Sequence, residues 1–143
     1  MSDRILQILR RHEGVKKYVY LDHLGYETIG VGRCIKEDVG LGLSEDEIDY
    51  LLTNDVNRCI SELGKSFPWF SDLDNARRDA MINLCFQLGI TKLLKFKNFL
   101  AEMAEGNYEL AGPHLLDSLY AKQTPARANE VAEMIVSGKY QDW

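Results

Sequence analysis

Apolar positions in the chain recur first at helical spacing, then alternate, then return to helical spacing until near the end. Ile5, Leu6 and Leu9 fall on one side of an opening segment and Glu13 continues that line. Ser2 suits the N-cap and Gly14 the position just past the end, so the spacing predicts a helix over about 2–13. Next, "KKYVYL" and "YETIGVGRCI" flank "DHLG". The flanks are rich in β-branched and aromatic residues, and Asp at the first and Gly at the fourth turn position suit a type I turn, which predicts a β-hairpin. On the second strand Thr28 alternates with Tyr26, Gly30 and Gly32, and the two glycines mark bulges or close backbone approach.

From Ser44 the pattern is helical again. Ser44 and Glu47 form a capping box, and Ile48, Leu51, Leu52, Val56, Cys59, Ile60 and Leu63 make one apolar face over about 44–63. A second cap falls near Ser71 to Asp74. Between Asn75 and Leu88 the apolar residues leave a single stripe and occupy most sides, the mark of a buried central helix. Shorter helices are predicted near 93–105, 108–118 and 125–137, the last opened by Thr124 with Pro125 at its first position. These elements predict an α+β fold, mostly helical. A small hairpin lobe at about 14–43 is joined by the long helix at about 44–63 to a helical lobe at about 66–143, which the first helix completes.

Composition narrows the class. At 143 residues, 45% hydrophobic and 27% charged, the chain suits one folded domain with a sizeable core. The net charge of −5 argues against a nucleic-acid binder, which normally carries a basic excess. Cys34, Cys59 and Cys85 are odd in number and lack a C-x-x-C pair, so neither a disulfide framework nor a metal site is indicated, and no cofactor is expected. The opening segment is too charged for a signal peptide and no run reaches membrane-spanning length, so the expected place of synthesis is the cytoplasm.

Three residues in the first part of the chain carry possible chemistry. Glu13 closes a helix, where backbone carbonyls present negative charge, and it continues an apolar stripe. Both effects favour the protonated carboxyl and so a general acid. The alternative is an exposed glutamate at a helix end. Asp22 is expected at a wet hairpin tip and therefore ionised, although aspartate also forms turns whatever the function. Thr28 has glycine neighbours on its predicted face, which leaves room beside its hydroxyl for a water or a sugar. A protonated carboxyl, an ionised carboxylate and a hydroxyl are the apparatus of glycoside hydrolysis. The spacing equally admits a sugar-binding module.

"HEG" followed by "YLDHLGYETIGVG", then "LSEDEIDYLLTNDV", "DLDNARRDAMINLCFQLG" and "QTPARA", resembles the phage endolysins of glycoside hydrolase family 24, the T-even phage lysozyme type, over nearly the whole chain. The resemblance implies a muramidase that cuts the β-1,4 bond between N-acetylmuramic acid and N-acetylglucosamine in bacterial peptidoglycan with inversion. Glu13 matches the general acid, Asp22 the second catalytic carboxylate and Thr28 the residue that helps hold the attacking water. Gly32, Phe86, Gln87 and Arg127 match substrate-contact positions, and His114 lies near another. Without the resemblance, Phe86 reads as core and Arg127 as surface. The implied partners are peptidoglycan and a separate holin-type pore-former that admits the enzyme to the periplasm or wall. A monomer is expected, with no nucleic acid and no stable membrane insertion.

Departures from the family pattern carry expectations of their own. Arg33 replaces a histidine that pairs with an aspartate on the long helix, and Asp55 matches that aspartate, so a partly buried Arg33–Asp55 ion pair is expected. Tyr120 replaces a tryptophan, which puts its packing against Gln87 in question. Two rival readings stand beside the muramidase: a lytic transglycosylase on the same fold, and a non-catalytic glycan-binding module.

Overall fold

A computed structural model describes residues 2–141. The chain divides into two compact units, the first ending at Leu51 and the second beginning at Leu52.

The first unit opens with α1 (Asp3–Glu13), which ends at Gly14 with φ +79° and the Gly14 N–H on the Arg10 carbonyl at 2.9 Å. Three strands follow: β1 (Lys16–Leu21), β2 (Glu27–Gly30) and β3 (Arg33–Cys34), antiparallel in the order β1-β2-β3. The predicted second strand is therefore broken. Gly30 and Gly32 adopt φ of +71° and +69°, a region in which residues with a Cβ are strained, and the chain reverses there into β3. A three-stranded sheet replaces the simple hairpin, and Gly32 lies in a turn and not on the face of Thr28. Thr28 pairs with Tyr20 on one side and Cys34 on the other, so it sits mid-sheet.

The long helix α2 (Glu45–Ser66) runs past the expected end at about 63 and through Gly64. Its capping box forms as expected: the Ser44 N–H donates to Glu47 Oε1 at 2.9 Å, and the Glu47 N–H donates to Ser44 Oγ at 3.4 Å. Its apolar face is covered unevenly. Ile48, Leu51 and Leu52 are about half exposed, whereas Cys59 and Leu63 are buried.

The second unit holds the main core. A single 3-10 turn (Phe70–Asp72) leads to α3 (Asn75–Leu88). The cap of α3 is Asp74, whose carboxylate accepts the Arg77 N–H at 3.3 Å, at the end of the stretch where a cap was expected. Ala76, Ala80, Met81, Leu84 and Cys85 bury several sides of α3, as the pattern required. Around it lie α4 (Ile90–Leu93), α5 (Lys97–Glu105), α6 (Tyr108–Leu116), α7 (Leu119–Gln123) and α8 (Pro125–Ser137). Short α4 and α7 were not among the expected helices: α4 precedes the one expected near 93–105, and α7 falls between those expected near 108–118 and 125–137. Leu93, Phe99, Met103, Leu115, Val131 and Ile135 close the core. Arg77 ties three helices together: it donates to the Ile135 and Val136 carbonyls at the end of α8 and stacks 3.8 Å from the Tyr108 ring. Those carbonyls have no partner within their own helix, so the guanidinium satisfies acceptors that burial would otherwise leave orphaned.

Candidate active site

In the first unit, the turn between β1 and β2 is organised by Asp22. Its carbonyl accepts the Gly25 N–H at 2.9 Å, and its Oδ1 accepts the N–H groups of Leu24 and Tyr26, both at 2.9 Å. The Tyr26 N–H chiefly, then that of Leu24 and the neighbouring His23, holds the carboxyl below its usual range against an opposing effect of burial. Asp22 is therefore ionised near neutral pH, as the turn-tip position implied. Both these bonds use Oδ1, and among the described residues Oδ2 accepts none.

Tyr26 connects Asp22 to Thr28, a link that sequence reasoning missed. Its carbonyl accepts the Asp22 N–H at 3.0 Å and the Thr28 hydroxyl at 2.9 Å. The only signal available was its place four residues after Asp22, where the hairpin closes. The space beside Thr28 is narrower than expected: the residue is 3% exposed, because it occupies the middle strand. With its proton committed to Tyr26, the hydroxyl oxygen can only accept.

Glu13 corrects another expectation. It is exposed, and no residue of α1 is buried. Ile5, Leu6 and Leu9 are themselves 41–42% exposed, so the apolar stripe does not desolvate the carboxyl. Among the described residues its side chain accepts no hydrogen bond and forms no ion pair. Its nearest neighbour of note is Gly32: a methyl group built on that glycine would lie 2.6 Å from Glu13 Oε2.

The expected Arg33–Asp55 pair is replaced by two others. Arg33 Nη1 donates to Glu47 Oε1 at 2.8 Å and to the Gly42 carbonyl at 2.9 Å, while Asp55 accepts from Arg58 one helical turn away at 3.0 Å. The capping box brings the Glu47 carboxylate to Ser44, beside the loop that Arg33 holds through Gly42. The hydrogen bond from Arg33, with those from Ser44, holds the Glu47 carboxyl down at about 2.

In the second unit, Phe86 is 43% exposed, so the core-packing alternative fails. Gln87 donates to Thr124 Oγ1 at 3.2 Å, and Thr124 in turn donates to the Tyr120 carbonyl at 3.1 Å. The Gln87 amide thus reaches the Tyr120 backbone through Thr124, and the Tyr120 hydroxyl has no partner. Thr124 spends its hydroxyl in this way and does not cap α8. Gln87 Oε1 is buried and unpaired. Arg127 is exposed and donates from Nε to Asn83 Oδ1 at 2.9 Å, tying α8 to α3. His114 is exposed and lines a shallow groove with Lys95, Phe96, Asn98 and Ser118, among which Phe86, Gln87 and Arg127 do not appear.

A sheet turn carrying an ionised carboxylate, an acid at the end of the preceding helix and a second unit built on a buried central helix define a lysozyme-like α+β protein. Comparison with known proteins agrees. The family model described as phage lysozyme matches residues 10–130, and the chain belongs to that family of glycoside hydrolases. It is 30% identical to probable T4-type lysozyme 1 of Dictyostelium discoideum, with 96% of each chain covered. It is 26% identical to probable T4-type lysozyme 2 of the same organism, covering 100% of this chain and 99% of that one. It is also 29% identical to the pre-baseplate central spike protein Gp5 of Enterobacteria phage T4; there 96% of this chain corresponds to 28% of the longer protein.

Proposed function

We propose that this chain is an endolysin, a muramidase that hydrolyses the β-1,4 bond between N-acetylmuramic acid and N-acetylglucosamine in peptidoglycan with inversion at the anomeric carbon. The observation that carries the reading is the hydrogen-bonded Asp22 carboxylate at the sheet turn that follows the Glu13 helix end. Asp22 receives two backbone N–H groups and stays ionised, while Glu13 ends its helix with no donor of its own. The base is assigned to Asp22 on its donors, and the acid to Glu13 on its match to the general acid of the family. Glu13 donates its proton to the glycosidic oxygen as that bond breaks. Asp22 Oδ2 takes a proton from a water attacking the far face of the sugar, and the Thr28 oxygen accepts that water's other hydrogen. Inversion follows because the water, and not Asp22, bonds to the anomeric carbon.

In the second unit, the exposed face of Phe86, the part-exposed Gln87 side chain and the Arg127 guanidinium are the proposed glycan contacts, with His114 a more peripheral one. On this reading the enzyme is a monomer made in the host cytoplasm, and it lyses the host after a holin-type pore-former admits it to the periplasm and wall.

Reducing-end release from purified peptidoglycan, with the product anomer followed by NMR, tests the proposal. The wild type is expected to release the inverted sugar, and Glu13→Gln to lose about 10²–10⁴-fold in rate, the usual contribution of a general acid. An anhydro product identifies a transglycosylase and overturns the hydrolytic reading. Undiminished clearing by Glu13→Gln overturns the catalytic assignment altogether.

A further inference from the structure

The Glu13 carboxyl has no hydrogen bond or ion pair to orient it among the described residues, yet a general acid works only when its oxygen is placed to within a fraction of an ångström. What it does have is a neighbour. A Cβ on Gly32 would lie 2.6 Å from Glu13 Oε2, 3.0 Å from Cδ and 3.2 Å from Cγ, so three successive atoms of the side chain run along the bare Cα of the β2–β3 turn. We propose that Gly32 is a positioning residue whose missing side chain forms the seat of the Glu13 carboxyl. This role rests on the muramidase reading and differs from the saccharide contact that family resemblance gives the same residue.

Two physical features support the seat. Glutamate has three rotatable side-chain bonds, and at an exposed helix end nothing else within α1 selects among them. Secondly, Gly32 has φ +69°, a conformation that glycine holds without strain, so one residue supplies both the turn and the space. A methyl group at this position meets the far part of a flexible side chain. The carboxyl is displaced and the backbone need not move.

Gly42 provides a matched control. It has φ +61° and nothing within 4 Å of an added Cβ, so Gly42→Ala carries a similar backbone strain without touching Glu13. Gly32→Ala and Gly42→Ala are expected to lower the melting temperature similarly. Gly32→Ala alone is expected to lose at least about tenfold in kcat at unchanged KM and to displace the ¹³Cδ resonance of Glu13. Gly32→Asn, a residue that enters the left-handed region more readily, serves if the alanine variant does not fold.

A Gly32 variant that keeps kcat within twofold of wild type, or leaves the Glu13 resonance in place, overturns the seat. A rise in KM at constant kcat also overturns it, in favour of a direct saccharide contact. The NMR readout requires no turnover. A wild type that releases no reducing ends therefore defeats the muramidase reading separately, and the resonance still decides whether Gly32 seats the carboxyl.

Discussion

Tyr120→Phe is a sharp test of the second unit's interior. Tyr120 is 4% exposed on α7, its ring lies 6.4 Å from Phe96, and its hydroxyl is buried without a hydrogen-bond partner. Burial pushes the phenol pKa up, outweighing the favourable charge of Arg127. An unpaired polar group in such a place costs about 1–3 kcal/mol of desolvation. Removing the oxygen also forfeits a handful of dispersion contacts at about 0.1–0.2 kcal/mol each, under about 1 kcal/mol in all. The balance predicts that Tyr120→Phe stabilises the protein by about 1 kcal/mol, or about 3 °C in melting temperature for a chain of this size. Urea denaturation read by circular dichroism gives the comparison, with a higher midpoint at unchanged slope as the expected result. A loss of 1 kcal/mol or more would show that the hydroxyl holds a real hydrogen bond, and the argument from an orphaned group would fail.

Two further outcomes follow from the first unit. Asp22→Asn keeps an oxygen for the Leu24 and Tyr26 N–H groups, so the turn should survive and melting should stay near wild type while reducing-end release falls at least about 10²-fold; full activity would remove Asp22 from the mechanism. For Glu47, the folded carboxyl titrates at about 2 against an ordinary 4.5, so the stabilisation it provides is complete above pH 4.5 and lost as pH falls toward 2. Hydrogen-exchange protection of the Ser44 amide, which Glu47 accepts at 2.9 Å, should fall across that window. Arg33→Met should move the loss to higher pH, and equal protection at pH 5 and pH 2 in the wild type would refute the assignment.

The elements that the sequence made legible are those governed by local chemistry. The capping box at Ser44, the glycine stop of α1, the DHLG turn and the broad buried face of α3 depend on residues within a few positions of one another, and short-range hydrogen bonds and periodicity specify them. The ionised state of Asp22 was legible for the same reason, since its donors lie two and four residues away. The roles of Glu13, Asp22 and Thr28 came from the family pattern as much as from position.

The order of residues alone determined an α+β chain with a sheet turn bearing a carboxylate, a long capped helix and a helical core, because each is set by contacts within one turn or one strand. Only the tertiary structure decided the rest. It paired Arg33 with Glu47 and not Asp55, buried Thr28 mid-sheet, exposed Phe86, gave the Gln87 amide to Thr124 and laid Glu13 along Gly32, nineteen positions further on. Long-range partners are selected by which surfaces the folded backbone brings within reach, and a linear pattern carries no measure of that distance.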